Sequence, residues 1–482
     1  MTLEQVLELA ETRSEAVAIA ETGVRRAEGE QLRARSGRLP QLNGSASYDR
    51  ALASEFSGVF GGGSSGPPCP PFTLDPSAAL PDRVAEIERA IDCGAVGSSL
   101  FGGGDDAELD LPFGRKNTWR VNLLFSQSIY SGGRLGAQAQ LSAVGRESAE
   151  LALTASRARL LFEVTQAFYD AALSERLVHI AEATVAQADA TVRQVQAGFE
   201  AGAQPEFELL RARVARDNQQ PLVIRQRANR DIALLRLKQL LELPPDYDLR
   251  IVAPLDGPVA PPPVFAARLT DAQTAVAATA TDRTPVKEAA AAVRLREASL
   301  RAALAERRPA VSLTSNYSRV AYPSGAFPTG DFRTNWTVGA SVDVPILTGG
   351  RQRGSEMVAR ADLEQSRLQL RQVEELALLD ARAAHAELTA ARAVFDASAG
   401  TIEQATRAYQ IAEVRYQSGV STQLELSDAR LLLQQAEANR AQAARDLQVA
   451  RARVALLPDL PLGLSSGSTS PAAQSGGRGG TQ

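Results

Sequence analysis

A 4-3 spacing of apolar and small residues runs unbroken from Leu160 through Ala171, Ala181 and Val192 to Phe199. The same spacing returns from Ala377 through Leu388, Phe395 and Tyr409 to Tyr416. A period of 3.5 residues means long helices packed side by side as in a coiled coil, not helices wrapped into a globular core. Many seam positions are Ala or Ser, so the helices can approach closely. From Arg134 to about Phe199 is some 65 residues, about 100 Å of helix at the usual rise. Flanking helices expected at about 2–38 and 205–242 would each reach about 55 Å. Two of these laid end to end match one long helix, which suggests the wall of a rod or tube.

The two seams belong to a repeat. "WRVNLLFSQSIYSGGR" (Trp119 to Arg134) aligns with "WTVGASVDVPILTGGR" (Trp336 to Arg351) at an offset of 217, and "FEAGAQPEFELLRAR" (Phe199 to Arg213) aligns with "YQSGVSTQLELSDAR" (Tyr416 to Arg430) at the same offset. Gly202 falls on Gly419 and Glu208 on Glu425. Upstream, Pro40 and Tyr48 fall on Pro309 and Tyr317 at an offset of 269. The difference, 269 − 217 = 52, is an insertion in copy one alone, in the Gly/Ser/Pro-rich stretch that holds Cys69 and Cys93. The copies span 1–243 and 269–457, joined by a Pro-rich linker at 244–268. A tail rich in Ser, Gly and Pro, 458–482, is expected to be disordered.

Each copy also carries two alternating segments. They predict hairpins at about 41–50 with 119–130, around a loop at 51–118, and at about 311–319 with 336–347. Leu42, Ala46 and Tyr48 oppose Asn43, Ser45 and Ser47; Trp336, Val338 and Val342 oppose Thr337, Ser341 and Asp343. An apolar and a polar face fit a membrane β-barrel with lipid outside and water inside. From alternation alone a half-buried sheet in a soluble domain is the favoured reading; two further features shift the balance. Tyr48, Trp119, Tyr317 and Trp336 all fall toward the hairpin-loop end of their strands, where an aromatic girdle would lie. Four strands cannot close a barrel, whereas three chains would supply twelve. Gly132 and Gly133, and Gly349 and Gly350, mark the strand-to-helix turns, where glycine permits backbone angles that other residues resist.

Other classes find little support. The net charge of −4 gives no reason to expect nucleic acid. Of 52 basic residues three are Lys, leaving 49 Arg, without clustering that would suggest a phosphate site. Two His and two Cys, with no CxxC, make a metal site or bound cofactor unexpected. His179 and His385 neighbour no nucleophile or carboxylate cluster, so no enzyme is expected. No apolar run is long enough for a transmembrane helix. A soluble coiled-coil scaffold explains the heptads but not the paired hairpins with one-sided aromatics.

The ordered, duplicated set of Pro, strand, strand, Gly-Gly-Arg, long Ala-rich helix and "YQSGVSTQLELSDAR" resembles the TolC family of bacterial outer-membrane efflux proteins over residues 2–457. The resemblance implies a mainly α fold with a small β part: a homotrimer whose twelve-stranded outer-membrane barrel, set in lipid, continues into a long periplasmic helical barrel. It implies an exit duct, for drug or metal efflux or for type I protein secretion. The partners would be a periplasmic adaptor and an inner-membrane pump of RND, ABC or MFS type. Met1 leads directly into the amphipathic "TLEQVLELAE", without basic or apolar leader regions, so a signal peptide is expected to precede this numbering. In the family a tyrosine and acidic residues at the helical-hairpin tip narrow the periplasmic aperture. Tyr416, Glu425 and Asp428 occupy those positions, with Glu208 as the acid of copy one. Glu425 and Asp428, at i and i+3, share a helix face. Where some members carry an arginine, two residues past the tip glycine, Ser421 stands. An inserted loop outside the cell, reached through an oxidising compartment, leads to the expectation of a Cys69–Cys93 disulfide, worth about 3 kcal/mol for a loop of this length.

Overall fold

The computed structural model describes residues 1–53, 70–92, 116–253, 255, 260–274, 282–323, 325–328, 330 and 332–463. Cys69, Cys93 and residues 464–482 lie outside these residues, and with them the expected disulfide and most of the tail expected to be disordered; the start of that tail, 458–463, is instead packed down, with Leu460 buried. Ten helices and four strands follow one another among the described residues. They are α1 (Leu3–Arg13), α2 (Glu15–Ser36), β1 (Gln41–Arg50), α3 (Leu80–Asp92), β2 (Asn117–Tyr130), α4 (Arg134–Glu200), α5 (Glu206–Asp217), α6 (Gln220–Leu240), α7 (Pro263–Thr274), α8 (Thr284–Ala305), β3 (Ala310–Ala321), β4 (Arg333–Asp343), α9 (Arg351–Gln417) and α10 (Gln423–Leu456). Two compact units result. One is helical, built from Met1–Arg35, Gly133–Arg307 and Ile346–Gln482; the other, Ser36–Gly132 with Arg308–Pro345, holds the sheet.

In the helical unit the two long helices match in length, 67 residues each, and start 217 positions apart. α2 and α8 match at 22 residues each, 269 positions apart. The helix α4 is central, packed by α1, α5, α6, α8 and α10, while α9 packs on α8 and α10. Its 4-3 seam is buried at Leu160, Val164, Ala167, Ala171, Val178, Ala181, Ala188, Val192 and Val195. Phe168 and Tyr169 lie on a second buried face of α4, required by its neighbours on several sides. The main core gathers Val6, Phe168, Leu237, Leu241, Phe265, Leu447 and Leu456.

Two expectations about helices need correction. The single helix expected at 2–38 is broken at Ser14, whose hydroxyl accepts from Val17 N at 3.4 Å and so caps α2. The one expected at 205–242 is broken at Asn218 and Gln219. Pro221 lacks the N–H that Asp217 O would receive, and its ring crowds that carbonyl. The equivalent place in copy two is Ala438, and α10 runs through it unbroken. The linker carries structure of its own. It opens α7 at Pro263, buries Leu249, Leu255 and Phe265, and is held to the N-terminus by Val252 N donating to Met1 O at 2.9 Å.

Near the start of α8 lies a buried charge cluster. Arg283, fully buried, donates to Ala377 O (3.0 Å), Asp380 Oδ2 (2.8 Å) and Leu460 O (3.3 Å). Arg453, with only 6 % of its side chain exposed, donates to Asp380 Oδ1 (2.9 Å) and to Glu387 Oε2. Thr284 N adds a bond to Pro458 O at 2.8 Å.

The sheet is antiparallel in the order β1-β2-β3-β4. Its register puts the alternating residues in phase. Leu42, Phe125, Ser315 and Val338 form one row, and Gly44, Leu123, Tyr317 and Trp336 the next, on the apolar face. Ser45, Asn122, Ser318 and Asn335 line the other face. Tyr48 stacks on Trp119 with ring centroids 4.9 Å apart, and Tyr317 pairs with Trp336. The two pairs are four residues out of step along the register, about 13 Å. β4 ends at Asp343 rather than at 347, because Pro345 has no N–H to pair. The inserted loop holds α3, an element the Gly/Ser/Pro-rich composition concealed.

Candidate functional site

Each long helix turns back at a glycine-bearing tip. Gly202 (φ 76°) and Gly419 (φ 77°) take the left-handed conformation there, which glycine adopts without steric cost. Their matched geometry follows from the matched sequence: Ala203 N donates to Gly198 O at 2.8 Å, and Val420 N to Arg415 O at 2.9 Å. The strand-to-helix turns behave likewise, with Gly132 and Gly133 at φ 65° and 98° and Gly349 and Gly350 at 55° and 85°.

At the second tip Thr422 is the N-cap of α10, its hydroxyl accepting from Glu425 N at 3.3 Å. Glu425 therefore stands in the first turn, where the helix N-terminus favours a carboxylate. Its Oε2 lies 4.0 Å from Arg415 Nη2, both side chains about half exposed. Such a pair contributes little on its own. Asp428 is exposed one turn further on.

Glu208 has a different setting, although it aligns with Glu425. It is half-buried and faces Gln423, which is 3 % exposed. With its amide oriented to satisfy both neighbours, Gln423 donates to Glu208 Oε2 at 2.9 Å and accepts from Ala212 N at 3.2 Å. Tyr416 packs against the apolar cluster of Val192, Val195, Leu209 and Ala212 and against that of Tyr409, Leu426 and Leu433. Burial, with a smaller contribution from the Glu208 charge, raises the pKa of its hydroxyl above the usual tyrosine value. A turn further along, buried Arg430 donates to Thr191 Oγ1 at 2.8 Å and bonds the Tyr409 hydroxyl. Gln423, Arg430 and Tyr416 thus tie the second hairpin to the first.

Of the four acidic and aromatic residues picked out from sequence, Tyr416 and Glu208 come together, while Glu425 and Asp428 stand apart on the exposed face. Gln423 and Arg430 were missed. Arg430 had a legible signal: it sits between Leu426 and Leu433 at 4-3 spacing, so a charge occupies a seam position. Among the described residues no group of His, Cys, Asp and Glu could hold a metal ion, and no helix is long and apolar enough to cross a membrane.

Two long helical hairpins with glycine tips, together with a four-stranded antiparallel sheet, define the class of outer-membrane channel chains. The chain belongs to the outer membrane efflux protein family, whose profile matches residues 84–242 and 276–458. Members of that family are channels of the cell outer membrane with a large periplasmic helical part, and that is where this chain resides. Three solved structures share the fold. VceC of Vibrio cholerae is 17 % identical with a TM-score of 0.68, covering 95 % of this chain and 96 % of its own. The CmeC channel of Campylobacter jejuni is 16 % identical with a TM-score of 0.69, covering 95 % and 86 %. The open-state MtrE channel of Neisseria gonorrhoeae is 18 % identical with a TM-score of 0.68, covering 95 % and 89 %. No curated protein sequence matches the chain.

Proposed function

We propose that this chain is the exit duct of a tripartite system. Cargo passes from an inner-membrane pump of RND, ABC or MFS type, through a periplasmic adaptor, to the outside, in drug or metal efflux or in type I secretion. The observation that carries this reading is a sheet with two long open edges. β1 presents 10 residues and β4 presents 11, all exposed. Unpaired strand edges of that length are templates for further pairing. Joining β4 of one copy to β1 of the next is a head-to-tail contact that closes as a ring. Three copies give twelve strands, with the apolar face toward lipid and the polar face toward water. The two matched halves of each chain then alternate around the ring.

In such a ring Glu425 and Asp428 supply six carboxylates around the narrow end, which would attract cations and favour their passage. Tyr416 and Glu208 would hold the two hairpins of one chain together at that end. Ser421 cannot form the ion pair that an arginine would, and Arg415 beside Glu425 is the nearest basic substitute at the tip. The test is native mass measurement in detergent with conductance in planar bilayers. Three chains per particle and a cation-selective pore are expected; a stable monomer or dimer would sink the reading. Co-purification identifies the adaptor and the pump.

A further inference from the structure

The helix α3 is inside out. Its apolar residues Leu80, Val84, Ile87 and Ile91 are 74 %, 45 %, 39 % and 62 % exposed. The face turned toward its own chain is instead mostly polar. Arg89 reaches Pro70 O at 3.4 Å and pairs with Glu86 at 2.5 Å. The Glu86 carboxyl is held below the usual range by Arg89, and Thr73 N–H adds a further bond. Only Ala90 is buried as an apolar residue on that side. A 13-residue helix with a bare apolar stripe is not stable alone in water, so the stripe calls for a cover.

The spacing of the stripe says what kind. Positions 80, 84, 87 and 91 step by 4, 3 and 4, the seam of a coiled coil, which places Val84 and Ile91 at a and Leu80 and Ile87 at d. Ile91 at a with Ile87 at d matches the three-helix preference, whereas Val84 at a with Leu80 at d matches the two-helix one, so the number of helices is set by the threefold ring. Arg83 and Glu88 then fall at g and at the following e; Glu88 is exposed, and Arg83 lies with its Nε buried beside Pro70 and Thr73 of its own chain, its guanidinium at the edge of the stripe. Positions g and e are the places where parallel neighbours put opposite charges together. The stripe is therefore charge-complementary to another copy of itself in parallel orientation.

We propose that the α3 helices of three copies pack into a parallel three-helix bundle, with Arg83 of each facing Glu88 of the next. This rests on the three-copy ring proposed above. The ring also makes so short a bundle workable, because chains already joined meet at high effective concentration and about millimolar affinity suffices. Reach is adequate. Twelve strands about 4.8 Å apart and tilted about 40° close into a cylinder about 24 Å across. Between Asp92 and Asn117 lie 24 residues, whose contour extends to about 80 Å.

The test is site-specific incorporation of a benzophenone amino acid in the full chain. One variant carries it at Ile87 and the other at Ala85, on the opposite side of α3. After irradiation of the detergent-purified protein, the Ile87 variant should give two-chain and three-chain adducts, with 80–92 joined to 80–92 in peptide maps. Such an adduct contains one peptide twice and so can only form between copies. The Ala85 variant should give none. Native mass is measured on both. Three chains per particle with Ile87 adducts only to lipid, detergent or another segment of its own chain would overturn the bundle and leave the ring standing. A mass other than three chains would overturn both.

Discussion

Asp380→Asn should loosen the end of the second repeat far more than its single lost charge suggests. Asp380 sits between two guanidiniums that have left water, Arg283 with none of its side chain exposed and Arg453 with 6 %. Breaking such a pair leaves a buried charge uncompensated and costs about 3–5 kcal/mol. The low end applies here. Arg453 keeps Glu387, and Arg283 keeps the carbonyls of Ala377 and Leu460. A loss of about 3 kcal/mol corresponds to about a hundredfold rise in the local opening constant, at 1.4 kcal/mol per factor of ten. Amide hydrogen exchange reads this directly, at Thr284 N, which bonds Pro458 O, and at Leu460 N, which bonds Leu456 O. The double change Arg283→Met with Asp380→Leu, which removes both charges and keeps apolar volume, should restore most of the protection. A less than tenfold rise in exchange for Asp380→Asn would show that water reaches the cluster and that the burial argument is wrong.

The same substitution should act with opposite signs four residues apart in copy two. Gly350→Ala forces alanine to φ 85° and should cost about 1–2 kcal/mol. Gly354→Ala, inside α9 with open space around the added methyl, should stabilise by about 0.5–1 kcal/mol in thermal melts. Tyr169 has its pKa pushed up to about 12, chiefly by burial. The folded state thus holds that proton more tightly than the unfolded one. The stability it contributes is complete below pH 10 and falls by about 3 kcal/mol as pH rises to 12. Tyr169→Phe should flatten that alkaline loss, and denaturant midpoints at pH 9 and 11.5 would show it. Glu425→Gln with Asp428→Asn should leave folding and particle mass unchanged, since both side chains face water. It should lower cation selectivity and weaken block by trivalent cations in planar bilayers. Unchanged selectivity would put these acids on an outer surface that meets the adaptor. Tyr416→Ala should raise basal conductance, because it removes the one side chain shared by both tip clusters, whereas Tyr416→Phe should not, since packing and not the hydroxyl makes the link.

The features legible in sequence were those in which one residue type answers one geometric demand. The paired glycines read as left-handed turns because little else fits there, and the 4-3 seam read as helix burial because its period leaves no alternative. The 217-residue offset therefore placed the starts of both long helices, Arg134 and Arg351, and their ends to within a residue or two. The breaks were less visible. Pro221 was a readable warning inside an expected helix, whereas Ser14 became a cap only once Glu15 and Val17 turned helical. Amphipathic "LPDRVAEIERAID" hid in glycine-rich surroundings, and Pro345 cut β4 shorter than its alternation allowed. At the tip, alignment made Glu208 and Glu425 equivalents. Packing separated them, because α10 covers Glu208 with Gln423 while Glu425 stays half exposed beside Arg415.

The joint at Asn218 and Gln219 makes the two hairpins mechanically unlike. α5 is a lever of 12 residues, about 18 Å long, hinged where its hydrogen-bond ladder lapses. α10 is a strut of 34 residues, about 51 Å, with no such hinge. Force applied near Gly202 is absorbed at the joint like a blow on a shock absorber. Force applied near Gly419 travels the full length of the strut as along a pushrod. It arrives at Arg453 and Leu456, where the far end is bolted to Asp380 and, through Leu460, to Arg283. The second tip is therefore joined to the buried cluster of Arg283, Asp380 and Arg453 by one unbroken helix, whereas the return path of the first is interrupted at Asn218.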